Sequence, residues 1–164
     1  MKLIQKYYDW RKSKKIEMQL QSIAIGLNST VDYTQDMHII MLDYDIKDIQ
    51  RVKESVWELQ EFWQLSDACI YRTKNGHHVF FWYDHVPYGR LKMIIEYAKY
   101  VDPMFKYISR YYDHKTIRVA GKYRNKDIWF VEKMAGIREP TDDEFQLGKM
   151  KEREHQSLSG VIPI

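Results

Sequence analysis

The chain is poor in cysteine, with Cys69 the only one among 164 residues. An internal disulfide is therefore excluded, as is a zinc site built on thiolates, and Cys69 reads as a small core residue. Long apolar runs are missing too. No stretch of roughly 18 consecutive apolar residues occurs, so no segment reads as a membrane-spanning helix. The opening Met1-Lys2-Leu3-Ile4-Gln5-Lys6 carries no apolar leader, and the expectation is a cytoplasmic protein with no membrane partner. Residues 1–139 hold no repeat, low-complexity tract or Gly/Ser linker. A chain of this length suits one compact domain, expected over 1–139, with 140–164 as a polar C-terminal extension.

What is present is a composition of 45% hydrophobic and 15% aromatic residues, enough to build a core. The net charge of +3 by itself fits an ordinary solvated surface, but the basic residues are gathered. Lys2, Lys6, Arg11, Lys12, Lys14 and Lys15 form one group, and Lys115, Arg118, Lys122, Arg124 and Lys126 another, each interleaved with aromatic side chains. That pattern suits a phosphate backbone.

Residues 3–25 read as mostly helical, ended by turn chemistry in Gly26-Leu27-Asn28-Ser29-Thr30. Met37 to Asp45 reads as a buried strand. Ile49, Val52, Val56, Leu59 and Trp63 then recur at helical spacing, and Trp57, Phe62 and Trp63 are assigned to packing. Ala68 to Thr73 and His77 to Tyr83 form a hairpin in which Asn75-Gly76 supplies the positive φ angles of a tight turn. Phe80, Phe81, Trp82 and Tyr83 are consecutive, so one face of that strand is expected to be less buried, its rings free to stack on bases. Leu91, Ile94, Ile95 and Ala98 mark a second helix that Pro103 ends or kinks. Thr116 to Tyr123 and Ile128 to Lys133 are two more strands, joined by Arg124-Asn125-Lys126-Asp127. Beyond Gly136 the chain turns polar, with Thr141 and Glu144 as a capping box and Lys149 to His155 as a solvated helix or tail. The order points to a single α+β domain with a split β-α-β sheet of the RRM or ferredoxin-like kind, antiparallel or mixed, flanked by helices.

The strand Met37-His38-Ile39-Ile40-Met41-Leu42-Asp43-Tyr44-Asp45 ends in two carboxylates that project from one face, because strand side chains alternate. Asp-x-Asp serves equally as a cap or a turn. Its company draws it toward chemistry: a rim histidine after Gly76, then Asp113 ahead of the basic strand Lys115-Thr116-Ile117-Arg118-Val119-Ala120-Gly121-Lys122. Carboxylates without thiolates suit hard divalent cations such as Mg²⁺ or Mn²⁺. Two such ions activate a hydroxyl and stabilise a departing pyrophosphate, while nearby Arg, Lys and His offset the triphosphate charge. The set suits nucleotidyl transfer.

In order and spacing, Ile39 to Asp45, Gly76-His77-His78, and Asp113 followed by Arg118-Val119-Ala120-Gly121 resemble the three motifs of the archaeo-eukaryotic primase superfamily, in the minimal primase-polymerase form often carried by plasmids and viruses. The resemblance covers residues 35 to 135. It implies a DNA primase or polymerase with two Mg²⁺ or Mn²⁺ ions on Asp43, Asp45 and Asp113, and no zinc. It implies that His78 contacts the phosphates of the incoming nucleotide, with Arg118 as a second contact. DNA template, primer and nucleoside triphosphates are the implied partners. Asp127 is a rival to Asp113, and charge and position add Arg72, Lys74 and Lys122 as nucleotide contacts. The zinc-binding insertion and helicase domain of larger relatives are missing. Either a separate helicase or replication protein supplies what is absent, or the chain is a reduced descendant without activity.

Two other functions compete. One is a DNA-nicking replication initiator with Tyr97 or Tyr100 as nucleophile, although adjacent His77 and His78 point to opposite strand faces and cannot chelate one ion together. The other is a nucleic-acid binding module that kept the scaffold and lost turnover.

Overall fold

The structure, a computed structural model, describes residues 24–32, 36–121 and 128–160. The described elements run β1 (Ala24–Asn28), β2 (Thr30–Asp32), β3 (Met37–Tyr44), α1 (Ile49–Trp63), β4 (Ala68–Arg72), β5 (His77–Pro87), α2 (Tyr88–Tyr97), α3 (Pro103–Ser109), β6 (Thr116–Gly121), β7 (Trp129–Met134) and α4 (Asp142–Ser159). Five strands form one antiparallel sheet in the order β2-β3-β5-β4-β7, and β1 pairs with β6 in a separate ribbon. Because β5 lies antiparallel between β3 and β4, those two strands are parallel and α1 connects them. This is the split β-α-β unit of an α+β domain.

The α1 stripe forms as its spacing predicts. Val52, Val56 and Leu59 are fully buried, Ile49 and Trp63 partly so, and Asp48 caps the helix through the backbone N–H groups of Gln50 and Arg51. Burying each aliphatic side chain is worth roughly 1.5–3 kcal/mol, and together they hold α1 on one face of the sheet. Trp57 and Phe62, assigned to packing, are instead 57% and 61% exposed. Only the stripe facing the sheet is covered, and those two side chains fall beside it.

Several other expectations change. The helix expected over residues 3–25 falls almost wholly outside the described residues, but its end and the supposed turn after it are β1 and β2. Ser29 joins the ribbon to the main sheet: its N–H donates to the Lys115 carbonyl, and its own carbonyl accepts from Ile39 N–H. Pro103 does not end a helix but opens one. The second helix stops at Tyr97, and Pro103 occupies the first turn of α3, where its missing N–H costs nothing, behind the cap Asp102. Neither Asn75 nor Gly76 has positive φ. The connection is a four-residue loop, 73–76, closed by Thr73 N–H to the Gly76 carbonyl at 2.8 Å. Gly76 is required for closeness instead, since a Cβ there would run into the Tyr44 carbonyl.

The largest difference concerns the aromatic strand. Phe80, Phe81 and Trp82 are fully buried and Tyr83 nearly so, because both sheet faces are covered. Val79, Phe81, Leu42 and Tyr44 lie on the α1 face, where Tyr44 Oη meets Ser55 Oγ at 3.0 Å. Met41, Asp43, His78, Phe80, Cys69 and Tyr71 share the other face by register, and α4 packs across it. The helix beginning with the Thr141–Glu144 capping box is present as read, but Lys151, Glu152 and His155 are buried rather than solvated. The loop before α4 is pinned by Ile137 N–H to the Leu65 carbonyl and by Arg138, which bridges Asp84 and Glu144. Among the described residues, no helix is long and apolar enough to cross a membrane.

Candidate active site

Asp43 and His78 are direct cross-strand partners on β3 and β5, so the pleat turns both side chains to the same face. Asp43 Oδ1 and His78 Nε2 stand 3.5 Å apart. Asp45 follows two residues later, exposed, just past the end of β3. The adjacent His77 points the other way, and its Nδ1–H donates to the Ile46 carbonyl at 2.9 Å. That bond and the Gly76 contact on Tyr44 fix the segment carrying Asp45 against the β4–β5 loop.

A further carboxylate reaches this point from α3. Asp102 donates its backbone N–H to the Asp43 carbonyl at 2.9 Å, while its side chain caps α3 at Phe105 N–H. Lys115, just ahead of β6, is almost wholly buried, donates from Nζ to the Phe105 carbonyl at 2.9 Å and lies 3.7 Å from the centre of the Phe105 ring. Arg118 on β6 is exposed and electrostatically coupled to both Asp43 and His78.

The charges are out of balance. Burial, then repulsion from Asp45 and Asp102, pushes the Asp43 carboxyl up from 3.8 to about 6, against the opposing pull of Lys115 and Arg118. Burial pushes the Lys115 ammonium down to about 8, less than it would without Asp43 and Asp102. His78 is held neutral: burial, with repulsion from His155, Arg118 and His77, drives it down to about 3. It therefore offers hydrogen bonds, not charge.

Of the residues expected from sequence, Asp43, Asp45, His78 and Arg118 come together. Asp113 does not join them. Its side chain is 93% exposed and bonded to His114 Nδ1 at 2.7 Å, and its other electrostatic neighbours are His38 and Tyr88. His38 sits at the start of β3, roughly 17 Å along the strand from Asp43 at about 3.4 Å per residue. Arg72 ends β4 opposite His77 and Lys74 lies in the β4–β5 loop, both exposed, and Lys122 and Asp127 lie outside the described residues. Asp102 and Lys115 are the residues that sequence reasoning missed as site members. Asp102 reads as a cap before Pro103, which it is, and only the bond to Asp43 gives it a second role.

Among the described residues, no three His, Cys, Asp or Glu side chains are gathered as metal ligands. The donor chemistry nevertheless fits a hard divalent cation. Asp43, Asp45 and Asp102 are oxygen donors, and the repulsion the other two exert on Asp43 is only partly offset by Lys115 and Arg118. Compared with known proteins, the chain matches no family model, no curated protein and no solved structure.

Proposed function

We propose that the chain is a metal-dependent nucleotidyltransferase acting in DNA priming or synthesis, with its site at Asp43, Asp45, His78, Asp102, Lys115 and Arg118. The observation that carries this reading is the setting of Asp43, whose pKa is raised to about 6 by burial first and then by Asp45 and Asp102, beside a neutral histidine 3.5 Å away and two cations. Evolution tolerates such repulsion where charge is used, and perturbed acids gather at functional sites. The likeness of the Asp43-Tyr44-Asp45 and Gly76-His77-His78 motifs to the primase superfamily supports the same reading.

Asp43, Asp45 and Asp102 would hold Mg²⁺ or Mn²⁺, which when bound supplies charge stabilisation for in-line displacement at a phosphate. Asp102 replaces Asp113 as the third carboxylate because its backbone is tied to that of Asp43. Neutral His78 donates a hydrogen bond to a phosphate oxygen, and exposed Arg118 adds charge to the same group. Lys115, buried and bonded to the Phe105 carbonyl, holds α3 and with it Asp102 in place. The 3′-hydroxyl gives up its proton to solvent and its oxygen bonds to the α-phosphorus as the bond to the departing pyrophosphate breaks.

The test is synthesis on a single-stranded DNA template with labelled ribo- and deoxynucleoside triphosphates and Mg²⁺ or Mn²⁺. Product that disappears in Asp43→Ala and in Asp45→Ala is the expected result. A wild-type protein that makes no product under any metal and nucleotide combination overturns the proposal.

A further inference from the structure

Helix α4 covers the sheet face that carries His78 with an unsuitable set of side chains. The residues it buries are Gly148, Lys151, Glu152, His155 and Ser159, four of them polar, while its apolar side chains Leu147, Leu158 and Phe145, the last stacked on Tyr83, are only partly covered. Beneath them lie Tyr71, Phe80 and Trp82, all fully buried. Lys151 and Glu152 answer their charges along the helix itself, to Glu154 and Lys149 at 2.6 Å each. His155 has no such answer: its ring is buried, and neither nitrogen has a hydrogen-bond partner. Nδ1 of His78 is buried and unpartnered in the same way. A helix selected only to complete a core would place aliphatic side chains here, because an unpaired buried polar group is costly.

The surroundings of His155 suggest what it replaces. Its imidazole, a flat nitrogen heterocycle, sits 4.7 Å from the Tyr71 ring, 5.0 Å from Phe80 and 5.4 Å from Trp82, centre to centre. Aromatic side chains on the central strands of a split β-α-β sheet are a standard platform for unstacked bases. Near the His78 end of this floor stands Arg118, exposed and electrostatically coupled to His78, and Lys74 is exposed in the loop leading into the His78 strand, as a phosphate backbone would need, whereas Arg72, paired with His77, belongs to the opposite face.

We propose that the face formed by Tyr71, Phe80 and Trp82 is a binding site for single-stranded nucleic acid, with His155 of α4 standing in for a base until the strand displaces the helix. The pinned loop at Ile137 and Arg138 is the fixed end about which α4 lifts. The site goes beyond the catalytic reading and needs no turnover.

Gly148 gives a way to unseat the helix without replacing any floor side chain. A Cβ there would lie 2.5 Å from both the Trp82 carbonyl oxygen and the Tyr83 ring. The experiment measures binding of a fluorescein-labelled single-stranded oligonucleotide to the full chain by anisotropy in EDTA, so that loss of catalysis cannot affect it. Gly148→Leu should bind about tenfold or more tighter than wild type, and Phe80→Ala in that background should abolish the gain. Hydrogen exchange on the wild-type protein supplies an independent reading. Saturating oligonucleotide should strip protection from α4 amides and leave α1 unchanged. Unchanged affinity in a folded Gly148→Leu protein, or unchanged α4 protection at saturation, overturns the proposal, as does failure of both proteins to bind. Loss of α4 protection with a nucleoside triphosphate alone overturns the strand assignment.

Discussion

Replacing Asp43 by Asn removes a carboxylate that burial and two neighbouring acids hold at an unfavourable charge, and the variant should be more stable than wild type at neutral pH. The folded-state pKa is raised from 3.8 to about 6, so the folded protein binds this proton more tightly than the unfolded chain. The protonated side chain is harmless below the ordinary pKa, and the penalty of ionisation grows as pH rises from 3.8 to about 6 and is complete above that. At about 1.36 kcal/mol for each pH unit, the penalty is at most about 3 kcal/mol. The Asp43 side chain is 31% exposed, and solvent screening reduces this to about 1–2 kcal/mol. For a domain of this size each kcal/mol moves Tm by about 2–4 °C. Thermal melts followed by circular dichroism, in EDTA, at about pH 4 and about pH 7.5, should show near-equal Tm values at the lower pH and a higher Tm for Asp43→Asn at the upper one. Mn²⁺ at about ten times its Kd should then raise wild type alone, by about 1.4 kcal/mol. A variant that is less stable than wild type at the higher pH, or a gap that does not change with pH, refutes the electrostatic argument.

Asp102→Asn should reduce nucleotide incorporation as severely as Asp43→Ala, while Asp113→Asn stays within about twofold of wild type; the reverse ranking would restore Asp113 as the third ligand. Gly76→Ala should lower both Tm and incorporation, because the new methyl meets the Tyr44 carbonyl and displaces the Asp45 segment, and a variant with wild-type Tm would show that the loop gives way freely. Leu59→Ala should cost about 2–5 kcal/mol in urea unfolding, because Leu59 is fully buried between α1 and the sheet, and a cost below about 1 kcal/mol would mean that α1 contributes little to the core. Lys115→Met should lose stability relative to wild type as pH rises from about 4 to about 7, because Asp43 then ionises without Lys115 beside it, whatever the sign of the difference at the lower pH; a difference that does not change across that range would show that Lys115 acts only through its bond to Phe105.

Local pattern determined a good deal by itself. The Val52, Val56 and Leu59 stripe specified α1, apolar and aromatic runs bounded by turn residues specified β3 to β5, and Thr141 with Glu144 specified the start of α4, because capping and periodicity act over a few residues. The same locality turned Asp43 and His78 to one face and His77 to the opposite one, with Asp45 just past the strand end. Tertiary structure decided everything that depends on distance in space. Asp102 and Asp113 are both acids near short helical turns, and nothing local separates them; only the chain path that lays Asp102 N–H on the Asp43 carbonyl, and leaves Asp113 beside His38, tells them apart. The polar composition of α4 likewise reads as a solvated helix, since burial is inferred from apolar stripes. It lies instead across Tyr71, Phe80 and Trp82, whose rings pack against His155. Sequence thus put Asp43 opposite a rim histidine, and the fold brought Asp102 to the Asp43 backbone and closed a helix over the face that carries His78.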